Sequence, residues 1–106
     1  MNVSAHLVIF ITAGSADEAA TIARTLVEER LAACANVVPG VRSIYRWEGV
    51  VHDDPEVLLV VKTRADRFGA LTQRVAELHS YDVPEVIALP VAAGSARYLA
   101  WLDEAL

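Results

Sequence analysis

The chain has a single cysteine, Cys34, among its 106 residues. One cysteine excludes a disulfide framework within the chain and any zinc or iron–sulfur site that takes several cysteines from one copy. Basic residues are also few: nine lysines and arginines stand against fourteen aspartates and glutamates, which leaves a net charge of −5. An acidic domain repels phosphate backbones, so no nucleic-acid partner is expected.

Long apolar runs and catalytic motifs are missing as well. No apolar run approaches the roughly 20 residues that cross a bilayer, so no membrane partner is expected. There is no Gly-x-Ser-x-Gly elbow, and His79, Ser80 and Asp82 lie too close along the chain for a nucleophile–base–orienter relay. The first residues lack the basic stretch of a secretory signal. We therefore expect a cytoplasmic protein that is not an enzyme and needs no organic cofactor.

The chain is rich in apolar residues, at 55%, and its length predicts one compact domain over residues 1–106. Ser15 and Glu18 have the spacing of a helix capping box, Pro39-Gly40 predicts a break, and Glu48-Gly49 predicts a hairpin turn. Hydrophobic periodicity predicts strands at residues 3–12 and 85–91, an extended segment at 35–38, a hairpin at 41–63, helices at 16–31 and 66–79, and a short terminal helix after residue 94.

This order of elements, two β-α-β halves joined through a hairpin, predicts a ferredoxin-like α+β sandwich of βαββαβ type with an added C-terminal helix. Right-handed crossovers place both main helices on one face of the sheet. The terminal helix is expected to turn four residues inward, namely Tyr98, Trp101, Leu102 and Ala105.

The predicted sheet has apolar side chains on both faces. Side chains alternate along a strand, so Leu58 and Val60 point away from Val57, Leu59 and Val61. Soluble monomers avoid an exposed apolar patch of this kind, and a terminal helix of about eleven residues covers only part of it. The pattern therefore predicts self-association, with the hairpin tip long enough to reach a neighbouring copy.

Five segments of the chain together resemble the CutA family of divalent-cation tolerance proteins. They are residues 28–40, 43–49, 56–63, 83–91 and 98–102, in the order that the family has them. Where the family has His-Pro-Tyr-Glu, this chain has His-Ser-Tyr-Asp at residues 79–82. The resemblance implies a homotrimer with a fold similar to PII signalling proteins and a link to copper and other divalent cations.

Cys34 and His79 are the candidate metal ligands. Soft thiolate sulfur suits Cu(I), although a free cysteine is often simply a small buried apolar residue. His79 follows the second helix, where it presents either a neutral nitrogen to a metal or a positive charge to the helix dipole. His6 and His52 are expected at the surface. Asp53, Asp54 and Glu56 offer oxygens of the kind that hard cations prefer, but without regular calcium-loop spacing they are expected to form a solvated turn.

A second group of residues predicts a cleft between subunits that takes a small ligand, such as an anion. The same aromatic and arginine residues are also common in plain interface packing. Three functions therefore stay open: a metal-binding trimer, a PII-like sensor or scaffold, and a trimeric platform without a ligand. The candidate cleft residues are Tyr45, Arg46, Trp47, Lys62, Tyr81, Asp82 and Glu85.

Overall fold

A computed structural model describes residues 5–106. Within this range the strands form one antiparallel sheet in the order β2-β3-β1-β4, which confirms the predicted ferredoxin-like α+β sandwich. The predicted first strand began at Val3, which lies outside the described residues. The elements are β1 (His6–Ala13), α1 (Ala16–Glu28), β2 (Cys34–Trp47), β3 (Val50–Arg64), a 3-10 turn (Ala65–Arg67), α2 (Phe68–Leu78), β4 (Val86–Pro90) and α3 (Ala96–Glu104).

Helix α1 begins where the sequence predicts and ends three residues earlier. The Ser15 side chain accepts a hydrogen bond from the Glu18 backbone nitrogen at 3.1 Å, which caps the helix. At the other end Arg30 takes a positive φ of 59°, and the chain turns away from the helix axis. The turn frees Leu31 to meet the sheet, where its carbonyl oxygen accepts a hydrogen bond from the Thr63 hydroxyl at 2.7 Å.

Strand β2 continues through Pro39-Gly40, where the sequence predicted a break. Val38 pairs with Leu58 and Val41 pairs with Glu56, so two residues of β2 oppose one residue of β3. Proline lacks an N–H, but β2 is an edge strand and a bulge absorbs the irregularity. Gly40 supplies the positive φ of 81° that the bulge requires. The result is one long arm that ends at the predicted Glu48-Gly49 turn.

The core lies between the sheet and the two main helices. Alternate residues of β1 and β3 point into it, and both helices close it with apolar stripes. The fully buried side chains in this core include Ile9, Ile11, Ile22, Leu26, Leu59, Val61, Leu71 and Val75.

Helix α3 packs at one end of the opposite sheet face. Leu102 is only 1% exposed, and Asp103 bonds the His6 ring at 3.0 Å and lies 3.6 Å from Arg64. His6 is thus held against α3 instead of standing free at the surface. The prediction that Tyr98 and Trp101 face inward is wrong, since they are 43% and 45% exposed. A helix of nine residues presents too narrow a stripe to bury all of its apolar side chains.

No other part of residues 5–106 covers the rest of that face. We call it the open face. On β4, Ile87 is 54% exposed and Leu89 is 50% exposed, and they pair with Phe10 and Val8 of β1. Such a continuous apolar patch is typical of an interaction surface. The open face consists of Val8, Phe10, Leu58, Val60, Ile87 and Leu89.

Candidate functional site

The candidate site lies where the hairpin leaves the sheet. Strand β1 ends at Ala13, which pairs with Val57, so residues 50–56 of β3 have no β1 neighbour. The loop between α2 and β4 passes beside this part of the hairpin and brings Tyr81 against Glu56. A Cβ placed on Gly14 would lie 3.2 Å from the Tyr81 hydroxyl oxygen, so the loop packs tightly against the end of β1.

Two adjoining cavities open between the hairpin and this loop, and we call them together the aromatic cavity. The first has a volume of about 320 Å³ and the second about 360 Å³. Tyr45, Tyr81 and Val83 line both, while Glu56 and Glu85 line only the second. The lining of the first cavity is Tyr45, Trp47, Tyr81, Asp82 and Val83. The structure thus brings five of the seven candidate cleft residues into one place.

Both tyrosine hydroxyl groups of the cavity donate hydrogen bonds to carboxylates. The Tyr81 hydroxyl donates to Glu56 at 2.7 Å, and the Tyr45 hydroxyl donates to Asp54 at 2.6 Å. Burial and the bond to Glu56 raise the pKa of Tyr81 far above its usual value, and the bond to Asp54 raises the pKa of Tyr45. Both phenols therefore stay neutral. The Tyr45 ring also stacks on His52, with centroids 5.2 Å apart.

His79 is buried, and both of its ring nitrogens have partners. Nε2 lies 2.7 Å from the Thr12 carbonyl oxygen, and Nδ1 accepts a hydrogen bond from the Tyr81 backbone nitrogen at 3.0 Å. A carbonyl only accepts and an N–H only donates, so the ring is the neutral tautomer with its hydrogen on Nε2. In this arrangement His79 anchors the loop to β1, and it offers no free nitrogen to a metal.

Glu18 fastens the same loop to the start of α1. Its Oε2 accepts from the Ser80 backbone nitrogen at 2.8 Å, and its Oε1 accepts from the Gly14 backbone nitrogen at 3.4 Å. Burial alone would raise the pKa of Glu18, but the bonds from Ser80 and Gly14 outweigh it and lower the pKa.

The lowered pKa of Glu18 predicts a pH dependence of stability. The carboxylate stabilises the fold above its ordinary pKa near 4.5, and this contribution disappears as the pH falls further towards the lower pKa of the folded state. Glu18→Gln should therefore be less stable than the parent chain at pH 7, and the difference should shrink below about pH 4.5. Denaturant unfolding across pH checks this, with Glu104→Gln as an exposed control. A difference that is equal at pH 7 and pH 3.5 would contradict the role of the charge.

The two remaining cleft candidates lie elsewhere. Arg46 pairs with Val51, so it points to the other side of the hairpin from Tyr45 and Trp47, and it bonds the Gly49 carbonyl oxygen at 3.3 Å. Lys62 lies near the opposite end of β3, where it donates to the Asn36 side chain. With Arg46 and Lys62 absent, the lining within residues 5–106 has no basic side chain, which disfavours the small anion expected from the sequence.

Cys34 is half-buried and free, and it pairs with Lys62 at the start of β2. Thr12, the partner of His79, pairs with Leu58 on the other side of β3. Four residues along β3 and two strand spacings across it therefore separate Cys34 from Thr12, about 16 Å between backbones, so the His79 ring that bonds to Thr12 is far from the thiol. Within residues 5–106, no group of three His, Cys, Asp or Glu side chains is placed to hold a metal ion.

The prediction that Asp53, Asp54 and Glu56 form only a solvated turn is wrong in part, since Asp54 and Glu56 accept hydrogen bonds from the tyrosine hydroxyl groups of the site. Asp54 and Glu56 are spaced two apart, and they continue the alternation that places Leu58 and Val60 on the open face. This spacing could have indicated from the sequence that Asp54 and Glu56 lie on one side of the strand. The contacts of Glu18 had no such signal, because they depend on how the loop after α2 meets β1.

The fold and the site define a class: a small ferredoxin-like domain with a long hairpin, an apolar open sheet face and an aromatic cavity at the base of the hairpin. Residues 7–105 match the model of the CutA1 divalent ion tolerance protein family, and the chain belongs to this family. The divalent-cation tolerance protein CutA of Thermus thermophilus is 57% identical over 97 residues, which cover 92% of this chain and 94% of that protein.

Solved structures support the same assignment. A Thermus thermophilus divalent cation tolerance protein superposes with a TM-score of 0.90 at 56% identity, covering 92% of this chain and 94% of the other. A structure described as the periplasmic divalent cation tolerance protein CutA from Archaeoglobus fulgidus gives 0.91 at 40% identity, with coverage of 94% and 97%. No helix within residues 5–106 has the length and apolar character to span a bilayer.

A plant relative is longer than this chain. The chloroplastic protein CutA of Arabidopsis thaliana is 48% identical over 96 residues, which are 91% of this chain and 53% of the plant protein. The chain therefore spans about half the length of that relative.

Proposed function

We propose that this chain is a homotrimeric binding protein, without catalytic activity, that contributes to the tolerance of copper or other divalent cations. The observation that carries the proposal is the family match over residues 7–105, joined by relatives named for divalent-cation tolerance. Sequence and fold agree over nearly the whole chain, so the likeness extends beyond one motif.

The open face supports the homotrimeric state. Ile87 and Leu89 are about half exposed in one chain, and α3 covers only the far end of the face. Burying a large apolar side chain stabilises an assembly by about 1.5–3 kcal/mol, so several such residues favour association strongly. Three copies is the number that the family resemblance implies.

Cys34 is the metal donor that we propose. It lies on the same sheet side as the open face, where copies of the chain would meet, so further ligands could come from other subunits. A single chain is a poor site on its own, since Lys62 is the residue that pairs with Cys34, and its ammonium group, which donates to Asn36, repels a metal cation. The His79 ring could become a metal ligand only if it lost its hydrogen bond to the Thr12 carbonyl or the hydrogen bond that it accepts from the Tyr81 N–H.

Removing the Cys34 thiol is expected to weaken Cu(I) binding at least tenfold, because a serine hydroxyl is a poor ligand for a soft cation. Titration of the assembled protein with Cu(I) against a competing chelator measures this for the parent chain and for Cys34→Ser. His52→Ala is the matched control, since it removes another donor at a distant position and should leave the affinity unchanged. Equal Cu(I) affinity in Cys34→Ser would overturn the proposed ligand.

A second candidate function is a PII-like sensor or scaffold that takes a small ligand at the hairpin. The observation that favours it is the aromatic cavity, which joins Tyr45 and Trp47 of the hairpin to Tyr81 and Asp82 of the α2–β4 loop. A ligand held between these two segments would bias the position of the hairpin arm and so any contact that its tip makes with another protein.

The cytoplasmic location stays a prediction. The Archaeoglobus fulgidus relative is described as periplasmic, so relatives do not share one compartment by name.

A further inference from the structure

The aromatic cavity combines two kinds of wall. Trp47 is 44% exposed, and the rings of Tyr45 and Tyr81 line the same space. Carboxylates of Asp82, and of Glu56 and Glu85 in the adjoining part, supply negative charge. Aromatic faces carry negative charge density too, so the charged and aromatic groups of this lining favour a positively charged guest.

Two of the carboxylates lack a partner within the described chain. Glu56 accepts a bond from Tyr81, but no hydrogen bond or ion pair from residues 5–106 reaches the side chains of Asp82 or Glu85. Partial burial and the nearby charge of Glu56 raise the pKa of Glu85. A cation in the cavity would reduce the repulsion between the carboxylates of Glu56 and Glu85.

The lining does not suit a small hard metal ion. Such ions take six or more oxygen ligands at short distances, and no three acidic, histidine or cysteine side chains within residues 5–106 are placed to surround one. A large, weakly hydrated cation needs no such cage, because it gains from apolar contact and from aromatic faces at the same time. The volume of about 320 Å³ is also at the low end of the range for small-molecule sites.

We propose that the aromatic cavity binds a small organic ammonium ion, held over the faces of Trp47, Tyr45 and Tyr81 and opposite the carboxylates of Asp82 and Glu85. The inference deepens the second candidate function and rests on it. It is independent of metal binding at Cys34, which lies at the start of β2, beside the other end of β3.

The first experiment compares a cation with a neutral molecule of similar shape. Tetramethylammonium and tert-butanol are titrated into the assembled protein by calorimetry at low ionic strength. Tetramethylammonium is expected to bind at least fivefold more tightly, because only the charged probe gains from the aromatic faces and the carboxylates. Magnesium chloride serves as the hard-cation comparison and should compete only weakly.

Two matched pairs of variants locate the site. Trp47→Leu keeps an apolar side chain but removes the aromatic face, and it should weaken tetramethylammonium binding about fivefold or more. Trp101→Leu removes an equally exposed tryptophan on α3 and should leave binding unchanged. In this variant Trp47 is the only tryptophan, so the tryptophan fluorescence comes from the cavity alone. Asp82→Asn should weaken binding about threefold or more, whereas Glu104→Gln, with the same change of net charge, should not.

The outcomes distinguish a failure of the ammonium preference from a failure of the ligand site itself. Equal affinity for tetramethylammonium and tert-butanol, lost in Trp47→Leu, would overturn the ammonium preference while a ligand site remained. No binding of either probe, or binding that Trp47→Leu and Trp101→Leu affect alike, would overturn both the ammonium site and the second candidate function. Cu(I) binding would be untouched in each case.

Discussion

Replacing Ile87 and Leu89 with lysine is expected to separate the assembly into single chains. Both residues lie on the open face and are about half exposed in one chain, so the substitutions should leave the fold intact. Because each side chain is already about half buried in one chain, losing both weakens association by about 1.5–3 kcal/mol, and burying the new charges costs more. Association should therefore fall at least a hundredfold. Light scattering at micromolar concentration measures the change in mass.

Val27→Lys is the control for this pair. Val27 is 39% exposed on α1, on the other side of the sheet, so a charge there should not affect the assembly. If the Ile87→Lys, Leu89→Lys variant keeps the parent mass, the open face is not the contact surface. Circular dichroism of the variant distinguishes dissociation from unfolding.

Replacing His79 with alanine is expected to have the largest effect on stability among the site residues. The change leaves the Thr12 carbonyl and the Tyr81 N–H without their partners and opens a cavity where the buried ring lay. Together these losses should lower the free energy of unfolding by about 2–4 kcal/mol. Denaturant unfolding at a fixed chain concentration measures it, because the midpoint of an assembled protein depends on concentration.

His52→Ala is the comparison for His79. Among residues 5–106 the His52 ring stacks on Tyr45 and makes no side-chain hydrogen bond, and it is partly exposed, so its loss should lower the free energy of unfolding by about 1 kcal/mol or less. The anchoring role of His79 fails if the two variants are equally stable. In His79→Ala the loop is no longer held to β1, so Tyr81 should also move and the binding of tetramethylammonium should weaken.

The sheet and its open face could be predicted because they depend on local patterns. The apolar runs of β1, β3 and β4 alternate between two faces, and the number of helices shows that one face lacks cover. The prediction that Pro39-Gly40 breaks the strand was wrong for a physical reason. An edge strand tolerates a residue without an N–H, and glycine lets the chain bulge and continue.

The candidate cleft could be predicted only in part, because its members come from two segments whose relative position depends on the register. Tyr45 and Trp47 share a side of the hairpin with each other but not with Arg46, which alternation alone could have indicated. The distance of Lys62 from the hairpin tip follows from its pairing with Cys34. The bonds of His79 depend on the turn after α2, which has no sequence pattern of its own.

Sedimentation equilibrium of the parent protein shows whether copies of this chain cover one another's open faces. We expect a single species of about three times 11.5 kDa that persists on dilution through the micromolar range. A particle of 11.5 kDa at the same concentrations would contradict it, since the open face would then be stable in water without a partner.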